Sequence, residues 1–187
     1  MSIRPVRRVV TGHDAQGRAI IQSDGATDRV HDKLGQEGLV FHEIWNTQET
    51  PARIDRAGGQ PPEERLTLAP PKGGARIRVL DIPPDDPNIE LDEVFDNIAA
   101  SDNFKGATSD RHASFHRTQT VDYGIVLEGE LVLIMDVGET TVRAGDIVVQ
   151  RGTNHGWANR GDKPCRIAFI LIDGVYEDGL EDGPEGA

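Results

Sequence analysis

The apolar and polar residues of this chain alternate in short stretches, and that pattern predicts β-strands over most of its length. Turn-forming residues close each apolar stretch, as in all-β sandwiches and barrels. In the second half of the chain the turns carry Gly129, Gly138, Gly145 and Gly152. We therefore expect strands at residues 5–12, 17–23, 39–45, 65–70, 75–83, 131–136, 140–144, 146–150 and 165–173.

One segment, residues 86–101, has a different period. Its apolar residues recur at the spacing of one face of an α-helix, with acidic residues between them; they are Ile89, Leu91, Val94, Phe95 and Ile98. Pro87 suits the first turn of such a helix. We expect a short amphipathic helix packed outside a barrel or across its mouth, with a lid over a ligand as the alternative.

Polar side chains alternate along two further segments. If each segment is a strand, its alternating residues point to one face. Hairpins between the two segments allow these faces to converge on one point inside a barrel. The first set is His116, Thr118, Thr120 and Asp122, and the second is His155, Trp157 and Asn159.

These residues resemble the two motifs of the cupins. The first motif, G-x5-H-x-H-x(3,4)-E-x6-G, is matched by His116, Thr118, Asp122 and Gly129, and the second, G-x5-P-x-G-x2-H-x3-N, by Gly145, Arg151, His155 and Asn159. The chain departs from the motifs at several positions. Thr118 replaces a histidine, Asp122 a glutamate, Arg151 a proline, Thr153 a glycine (whose turn Gly152 can serve) and Asp110 the first glycine.

A length of 187 residues predicts one domain, 1–187. The resemblance implies an all-β fold, a cupin jelly-roll or double-stranded β-helix barrel, with one short accessory helix. Strands and loops occupy residues 1–85, the helix 86–101 and the motif-bearing half of the barrel 111–174. The acidic, glycine-rich tail at 175–187 has little to bury, so we expect it to be disordered or loosely attached.

Composition excludes several classes of partner. The net charge of −12 disfavours nucleic acid and anionic membrane surfaces, and no apolar run approaches the ~20 residues of a membrane span. The N-terminal residues lack the apolar stretch of a signal peptide. Cys165 is the only cysteine, so the chain cannot form an internal disulfide, and we expect a cytoplasmic protein. In its apolar stretch Cys165 is typical of a small buried hydrophobe.

Within the resemblance, His116, Asp122 and His155 form a candidate set of two histidines and one carboxylate. Such ligands suit a divalent transition metal, Fe²⁺, Mn²⁺, Ni²⁺, Co²⁺ or Zn²⁺. Thr118 is a poor ligand but can hydrogen-bond a metal-bound water or a substrate oxygen. His112 is a possible substitute ligand. The alternative is a cupin that has lost its metal, in which Asp122 and His155 act as acid and base.

Alternation and motif position suggest further residues of a substrate pocket, namely Thr118, Thr120, His42, Arg151 and Trp157. Three of them have structural alternatives. His42 can be a hydrogen-bonded core histidine, Arg151 a surface arginine on a turn, and Trp157 a packed core residue.

The resemblance implies an enzyme that acts on a small organic molecule inside the barrel, as a metal-dependent dioxygenase, decarboxylase, isomerase or lyase. A metal-free cupin that binds a small molecule, or uses His155 and Asp122 as acid and base, is the alternative. A purely structural or partner-binding role has little support in the sequence. Because a single barrel leaves sheet edges exposed, we also expect a homodimer, with the N-terminal strands pairing across its two-fold axis.

Overall fold

The computed structural model describes residues 3–56, 64–89, 104–105 and 111–180. Nearly all of the regular structure in these residues is antiparallel β-strand, as the alternation predicts. The strands are β1 Arg7–His13, β2 Ala19–Ala26, β3 Val30–His31, β4 Val40–Thr47, β5 Ala75–Ile82, β6 Phe104–Lys105, β7 Arg117–Thr118, β8 Thr120–Glu128, β9 Glu130–Met135, β10 Glu139–Arg143, β11 Ile147–Arg151, β12 His155–Ala158 and β13 Cys165–Asp173. No helix in the described part of the chain is long and apolar enough to cross a membrane.

Two sheets form the walls of the barrel. The larger has six strands in the order β11-β8-β13-β5-β4-β3, and the smaller has the order β10-β9-β12. Apolar side chains from both sheets form one buried cluster between them; its members include Phe41, Leu80, Val126, Leu131, Leu133, Trp157 and Ile167. Full burial of one such side chain contributes about 1.5–3 kcal/mol, so this cluster holds the two walls together.

The strand register decides which side chains face the inside of the barrel. Asp122 on β8 is paired with Leu171 on β13, and Leu171 is paired in turn with Arg76 on β5. Side chains directly opposite one another share a face of the sheet. The interior face of the large sheet therefore carries polar as well as apolar groups.

The turn between β8 and β9 requires a glycine. Gly129 has a φ of 79°, a left-handed conformation that side chains disfavour. A Cβ atom at this position would also lie 3.1 Å from the Cα of Cys165. Gly129 therefore lets the first motif strand turn tightly against the start of β13.

Two expectations about the first half of the chain meet different outcomes. The predicted N-terminal hairpin is present as β1 and β2, which pair with each other. The predicted strand at 65–70 is wrong, because this segment forms only an isolated bridge at Thr67. Its Leu66 and Leu68 are buried in the core, and its backbone carbonyl at Thr67 accepts hydrogen bonds from arginine side chains instead of a neighbouring strand.

The predicted helix at 86–101 lies outside the described residues from position 90 onward, and residues 86–89 form a turn. The described part of the tail contacts the barrel as far as residue 180, where the Leu180 carbonyl accepts from the Arg117 guanidinium at 3.0 Å. The Tyr176 hydroxyl donates to the Gly152 carbonyl at 2.8 Å, and the Arg117 guanidinium lies 4.8 Å from the centre of the Tyr176 ring. Residues 181–187 lie outside the described part.

Candidate functional site

A cavity of about 460 Å³ lies between the two sheets. Most of its wall is apolar, formed by side chains that include Leu39, Phe41, Leu68, Leu80, Ile82, Trp157, Phe169 and Leu171. Polar side chains also line it, among them Gln36, Arg78, Asp85, Asp86, His112, Ser114, His116, Thr118, Asp122 and His155. A largely apolar pocket with a limited number of polar groups is the usual form of a small-molecule site.

His116 and His155 form a pair in the cavity wall. Their backbones exchange two hydrogen bonds, of 2.8 and 2.9 Å, and their ring centres are 4.3 Å apart. Nδ1 of His116 lies 2.7 Å from the Ser114 carbonyl oxygen, and Nδ1 of His155 lies 3.0 Å from that of Thr153. Because a carbonyl only accepts hydrogen bonds, each Nδ1 carries the proton, and Nε2 of the neutral ring is the acceptor.

Burial keeps both rings neutral. It lowers the pKa of His116, and it lowers the pKa of His155 well below the usual value, with the neighbouring His116 acting in the same direction. The site therefore offers two uncharged imidazoles whose tautomers are set by backbone carbonyls.

Asp122, on β8 of the large sheet, supplies a carboxyl group to the same cavity. Its Oδ1 atom is buried and has no hydrogen-bond partner among the described residues. Burial raises the pKa of Asp122 to about 6, although the Thr120 hydroxyl and the Arg78 guanidinium oppose the rise. Thr120 also lies 2.7 Å from Thr118, hydroxyl to hydroxyl, so the two threonines and Asp122 form one polar strip.

Arg78 is the only cationic side chain in the described lining of the cavity, and its charge is already paired. Its Nε lies 3.0 Å from Oε1 of Glu43, and both side chains are almost fully buried. Its NH2 group donates to the Thr67 carbonyl at 2.6 Å, and its guanidinium lies 5.6 Å from the ring centre of Phe41. A bound anion would therefore compete with Glu43 for this guanidinium.

A second series of hydrogen-bonded polar side chains runs from Asp85 through His112 to Ser114. The Ser114 backbone N–H donates to Nδ1 of His112, so this nitrogen is an acceptor, and the Ser114 hydroxyl lies 2.7 Å from it. Nε2 of His112 lies 3.4 Å from the Asp85 carboxylate. Burial alone would raise the pKa of Asp85, but hydrogen bonds from His112 and from the Asn159 backbone N–H outweigh it, and the pKa is lowered. The Ser114 hydroxyl oxygen also accepts a hydrogen bond from the Trp157 backbone N–H at 3.0 Å, which connects this series of side chains to β12.

Gly156 leaves room for the segment at 112–115, which carries His112 and Ser114. A Cβ atom there would lie 3.3 Å from both the Ser114 hydroxyl and the His112 Cβ, and 3.1 Å from the Phe115 ring. Any larger residue at 156 would require the segment at 112–115 to shift by a few tenths of an ångström away from β12.

Comparison with known proteins identifies a matching family and several relatives of this sequence. The family model described as "Cupin domain" matches residues 105–172. The "Cupin-domain-containing oxidoreductase fogC" of Aspergillus ruber is 32% identical over 183 residues, which cover 93% of this chain and 76% of that protein. The chain belongs to the cupin family.

Two further relatives differ in how much they share with this cupin. The "Cupin-domain-containing oxidoreductase virC" of Hypocrea virens is 30% identical over 91% of this chain and 77% of its own length. The "Oryzines biosynthesis cluster protein J" of Aspergillus oryzae is 56% identical, over 32% of this chain and 34% of its own length.

Of the predicted pocket residues in this cupin, Thr118 and Trp157 line the cavity together with the predicted histidines and Asp122. Thr120 is buried directly behind them, in contact with Thr118. The edge of the Trp157 ring packs on Phe169, with ring centres 5.4 Å apart, so Trp157 is both a pocket wall and a core residue.

Two of the predicted pocket residues, His42 and Arg151, are not in the described lining of this cavity. His42 is paired with Val79 on the outer face of the sheet, where it is fully buried and its Nε2 lies 3.4 Å from Asp81. Arg151 is exposed, because the alternation of β11 places Gln150 inside and the next residue outside.

Sequence reasoning missed Arg78, Asp85 and Ser114. One signal for Arg78 was available: two arginines alternate with apolar residues along β5, which places both on one face of the strand. Asp85 and Ser114 carry no comparable signal, because both lie in loops.

The metal centre that the family implies fits this structure only in part. The two histidines suit a metal, since ligating histidines usually donate their second ring nitrogen to a carbonyl or carboxylate. In the described residues, however, no three His, Cys, Asp or Glu side chains lie close enough together to hold one ion. Asp122 therefore shares the cavity with the histidines without completing the predicted set of three ligands.

Proposed function

We propose that this cupin is an enzyme that binds a small, uncharged and mainly apolar organic molecule in the cavity and moves a proton on it. The observation that carries this proposal is a buried carboxyl oxygen on Asp122, without a partner among the described residues, in a largely apolar cavity that also holds two neutral imidazoles. The names of the relatives, which include oxidoreductases and a biosynthesis-cluster protein, support action on small molecules.

The charges around the cavity favour an uncharged ligand. Among the described residues that line it, Asp85, Asp86 and Asp122 carry carboxyl groups and Arg78 carries the one guanidinium. That guanidinium is held by Glu43, so an anion entering the apolar cavity would lose its hydration without gaining an unpaired cation. The apolar wall, with the rings of Phe41, Trp157 and Phe169, instead suits an aliphatic or aromatic body.

Asp122 is suited to accept a proton from such a molecule. Its raised pKa of about 6 lies near neutral pH, where a general base is most effective. The Nε2 atoms of the histidine pair can accept a hydrogen bond from a hydroxyl group of the ligand, and the Thr118 hydroxyl can donate one to a carbonyl. These groups suit transfer of a proton from a carbon next to a carbonyl, the first step of an isomerase or lyase reaction.

Deuterium exchange tests the proton transfer. We expect the protein in heavy water to exchange hydrogens next to the carbonyl of apolar ketones, measured by mass spectrometry. The Asp122→Asn variant should lose the exchange, whereas Asp162→Asn, at an exposed turn, should retain it. Exchange that is equal in both variants would contradict the role of Asp122.

Tryptophan fluorescence tests the ligand class separately. Trp157 and Trp45 are the two tryptophans, so a Trp45→Phe variant reports from the cavity alone. We expect butylbenzyl alcohol to bind at least about ten-fold more tightly at pH 8 than its carboxylate analogue butylbenzoate, because only the latter carries charge into the cavity. Equal or tighter binding of the carboxylate would refute the proposed ligand class.

A metal-dependent oxidoreductase is the second candidate. Two observations favour it: the paired histidines with Nδ1 held by carbonyls, and the printed names of two relatives as oxidoreductases. A divalent metal held by His116 and His155 would supply Lewis-acid polarisation of a bound oxygen atom. Elemental analysis of protein purified without chelator should then show metal that the double variant His116→Ala, His155→Ala lacks. Negligible metal in both proteins would remove this candidate.

A further inference from the structure

The series from Asp85 through His112 to Ser114 has a chemistry that the proton transfer assigned to Asp122 does not use. The Ser114 hydroxyl lies 2.7 Å from Nδ1 of His112, and Nε2 of His112 lies 3.4 Å from the Asp85 carboxylate. All three residues line the cavity. An alcohol, an imidazole and a carboxylate joined in this order are the components of acyl transfer to a serine.

The imidazole of His112 has the tautomer that a general base requires. The Ser114 backbone N–H donates to Nδ1 at 3.1 Å, so this nitrogen has a free lone pair and the proton of the neutral ring is on Nε2. Nε2 faces the Asp85 carboxylate, which accepts a hydrogen bond from the Asn159 backbone N–H at 3.0 Å. Asp85 therefore orients the ring and would stabilise the positive charge that His112 gains when it accepts a proton.

The Ser114 hydroxyl is held in place against β12. It has two possible acceptors, Nδ1 of His112 at 2.7 Å and the Trp157 carbonyl oxygen at 3.2 Å, and the shorter contact is to the stronger base. The Trp157 backbone N–H donates to Ser114 Oγ at 3.0 Å. Gly156 permits this approach, since a Cβ atom there would lie 3.3 Å from the same oxygen. The nucleophile is thus positioned before a substrate binds.

The surroundings of Ser114 suit a neutral ester. The cavity wall is mostly apolar and can hold an uncharged acyl chain or aromatic ring. Hydrolysis of an ester releases a carboxylic acid, which is an anion at neutral pH. In the described lining, three carboxyl groups oppose one guanidinium that is already paired. The cavity therefore holds the ester better than its charged product, which promotes release of the product.

We propose that Ser114 is the nucleophile of a further activity of this protein, the hydrolysis of small apolar esters. Oγ attacks the ester carbonyl carbon while Nδ1 of His112 takes the hydroxyl proton. The bond between the carbonyl carbon and the alcohol oxygen then breaks as this proton passes to the leaving alcohol. Water next attacks the acyl group on Ser114, with His112 again as the base, which releases the carboxylic acid and restores the hydroxyl. Only the ester and water are consumed.

Covalent labelling with a fluorophosphonate, which reacts with activated serine hydroxyl groups, tests the nucleophile. We expect the intact protein to gain the mass of one phosphonyl group, and peptide mapping to place it on Ser114. The matched control is Ser23→Ala, at an exposed position of β2, which should label at the wild-type rate. A Ser114 hydroxyl that only stabilises the turn at 112–115 would remain unlabelled, and this result would overturn the proposal.

The role of Asp85 gives a second comparison in the same assay. Asp85→Asn keeps the serine, the imidazole and an acceptor for the Asn159 backbone N–H, but removes the charge that supports His112. We expect it to label at least about ten-fold more slowly than the wild-type protein. Equal rates in the two proteins would contradict the assigned series.

Hydrolysis of para-nitrophenyl butyrate tests the turnover, with tryptophan fluorescence as the check that each variant is folded. We expect a rate that saturates with ester concentration in the wild-type protein and is lost in Ser114→Ala. Where that variant is too unstable to assay, Asp85→Asn should still show a rate at least about ten-fold lower. A rate that rises linearly with the ester and is equal in these proteins would be a background reaction of surface groups, and would refute the activity. Because this assay does not involve ketone exchange, the two proposed activities can fail separately.

Discussion

Replacing Asp122 by asparagine should make this protein more stable at alkaline pH, although it removes the proposed catalytic group. In the folded protein burial raises the pKa of Asp122 from its usual 3.8 to about 6. The folded state therefore holds a proton that the unfolded state has released between these two pH values. As a result the stability contribution of this group is favourable at acidic pH and is lost as the pH rises through about 6.

The size of the effect follows from the two pKa values. Their difference corresponds to ~3 kcal/mol, which is the cost of burying the ionised carboxylate above about pH 7. Asparagine has nearly the same shape and carries no charge at any pH. We expect Asp122→Asn to match the wild-type protein at pH 4 within ~1 kcal/mol, and to exceed its free energy of unfolding by up to ~3 kcal/mol at pH 8.

Urea unfolding at a series of pH values between 4 and 8 measures this difference. Asp162→Asn, at an exposed turn, serves as the control and should show no comparable gain. A stability difference that does not depend on pH would refute the reasoning, and so would a gain that appears only at acidic pH. Repeating the series with a chelator separates the effect of burial from that of a bound cation, which would stabilise the carboxylate and reverse the sign.

Three further substitutions test the packing around the cavity by urea unfolding. Gly156→Ala should cost about 1–3 kcal/mol by overpacking against the segment at 112–115, whereas Gly25→Ala, whose added Cβ would meet no atom within 4 Å, should be nearly neutral. Glu43→Gln should lower the free energy of unfolding by about 3–5 kcal/mol, because it leaves the Arg78 charge buried without its partner. Its control is Glu139→Gln, which removes the exposed ion pair with Arg160 and should have little effect. Ser114→Ala should cost about 1–3 kcal/mol, since the Trp157 backbone N–H loses its acceptor. A null result in any of the three would contradict the corresponding contact.

Alternation along single strands was a reliable guide wherever one face of the strand is buried. It predicted β13 at its observed bounds, and the residues that it directed toward one point, His116, Thr118, Asp122 and His155, all line one cavity. It also separated Phe41 from His42 correctly, onto opposite faces of β4. Both faces of that part of β4 are buried, however, so the pattern could not show which one faces the cavity.

The segment at 65–70 shows the limit of local patterns. Its apolar and polar residues alternate as in a strand, and its leucines are buried as a strand's would be. It forms one isolated bridge in place of a ladder, and the arginines of β5 donate to its Thr67 carbonyl. Hydrogen-bond partners that lie far apart along the chain decide such cases.

Alternation and turn residues were sufficient to predict an all-β sandwich or barrel, because both depend on short-range patterns. The resemblance to the cupin motifs then gave its family and the positions of the paired histidines. Three features of the described residues depended on the folded chain: the charge balance of the cavity lining, the lack of a three-ligand metal site and the exposure of the hairpin. Each of them depends on distances between side chains from strands that only the closed sheets bring together.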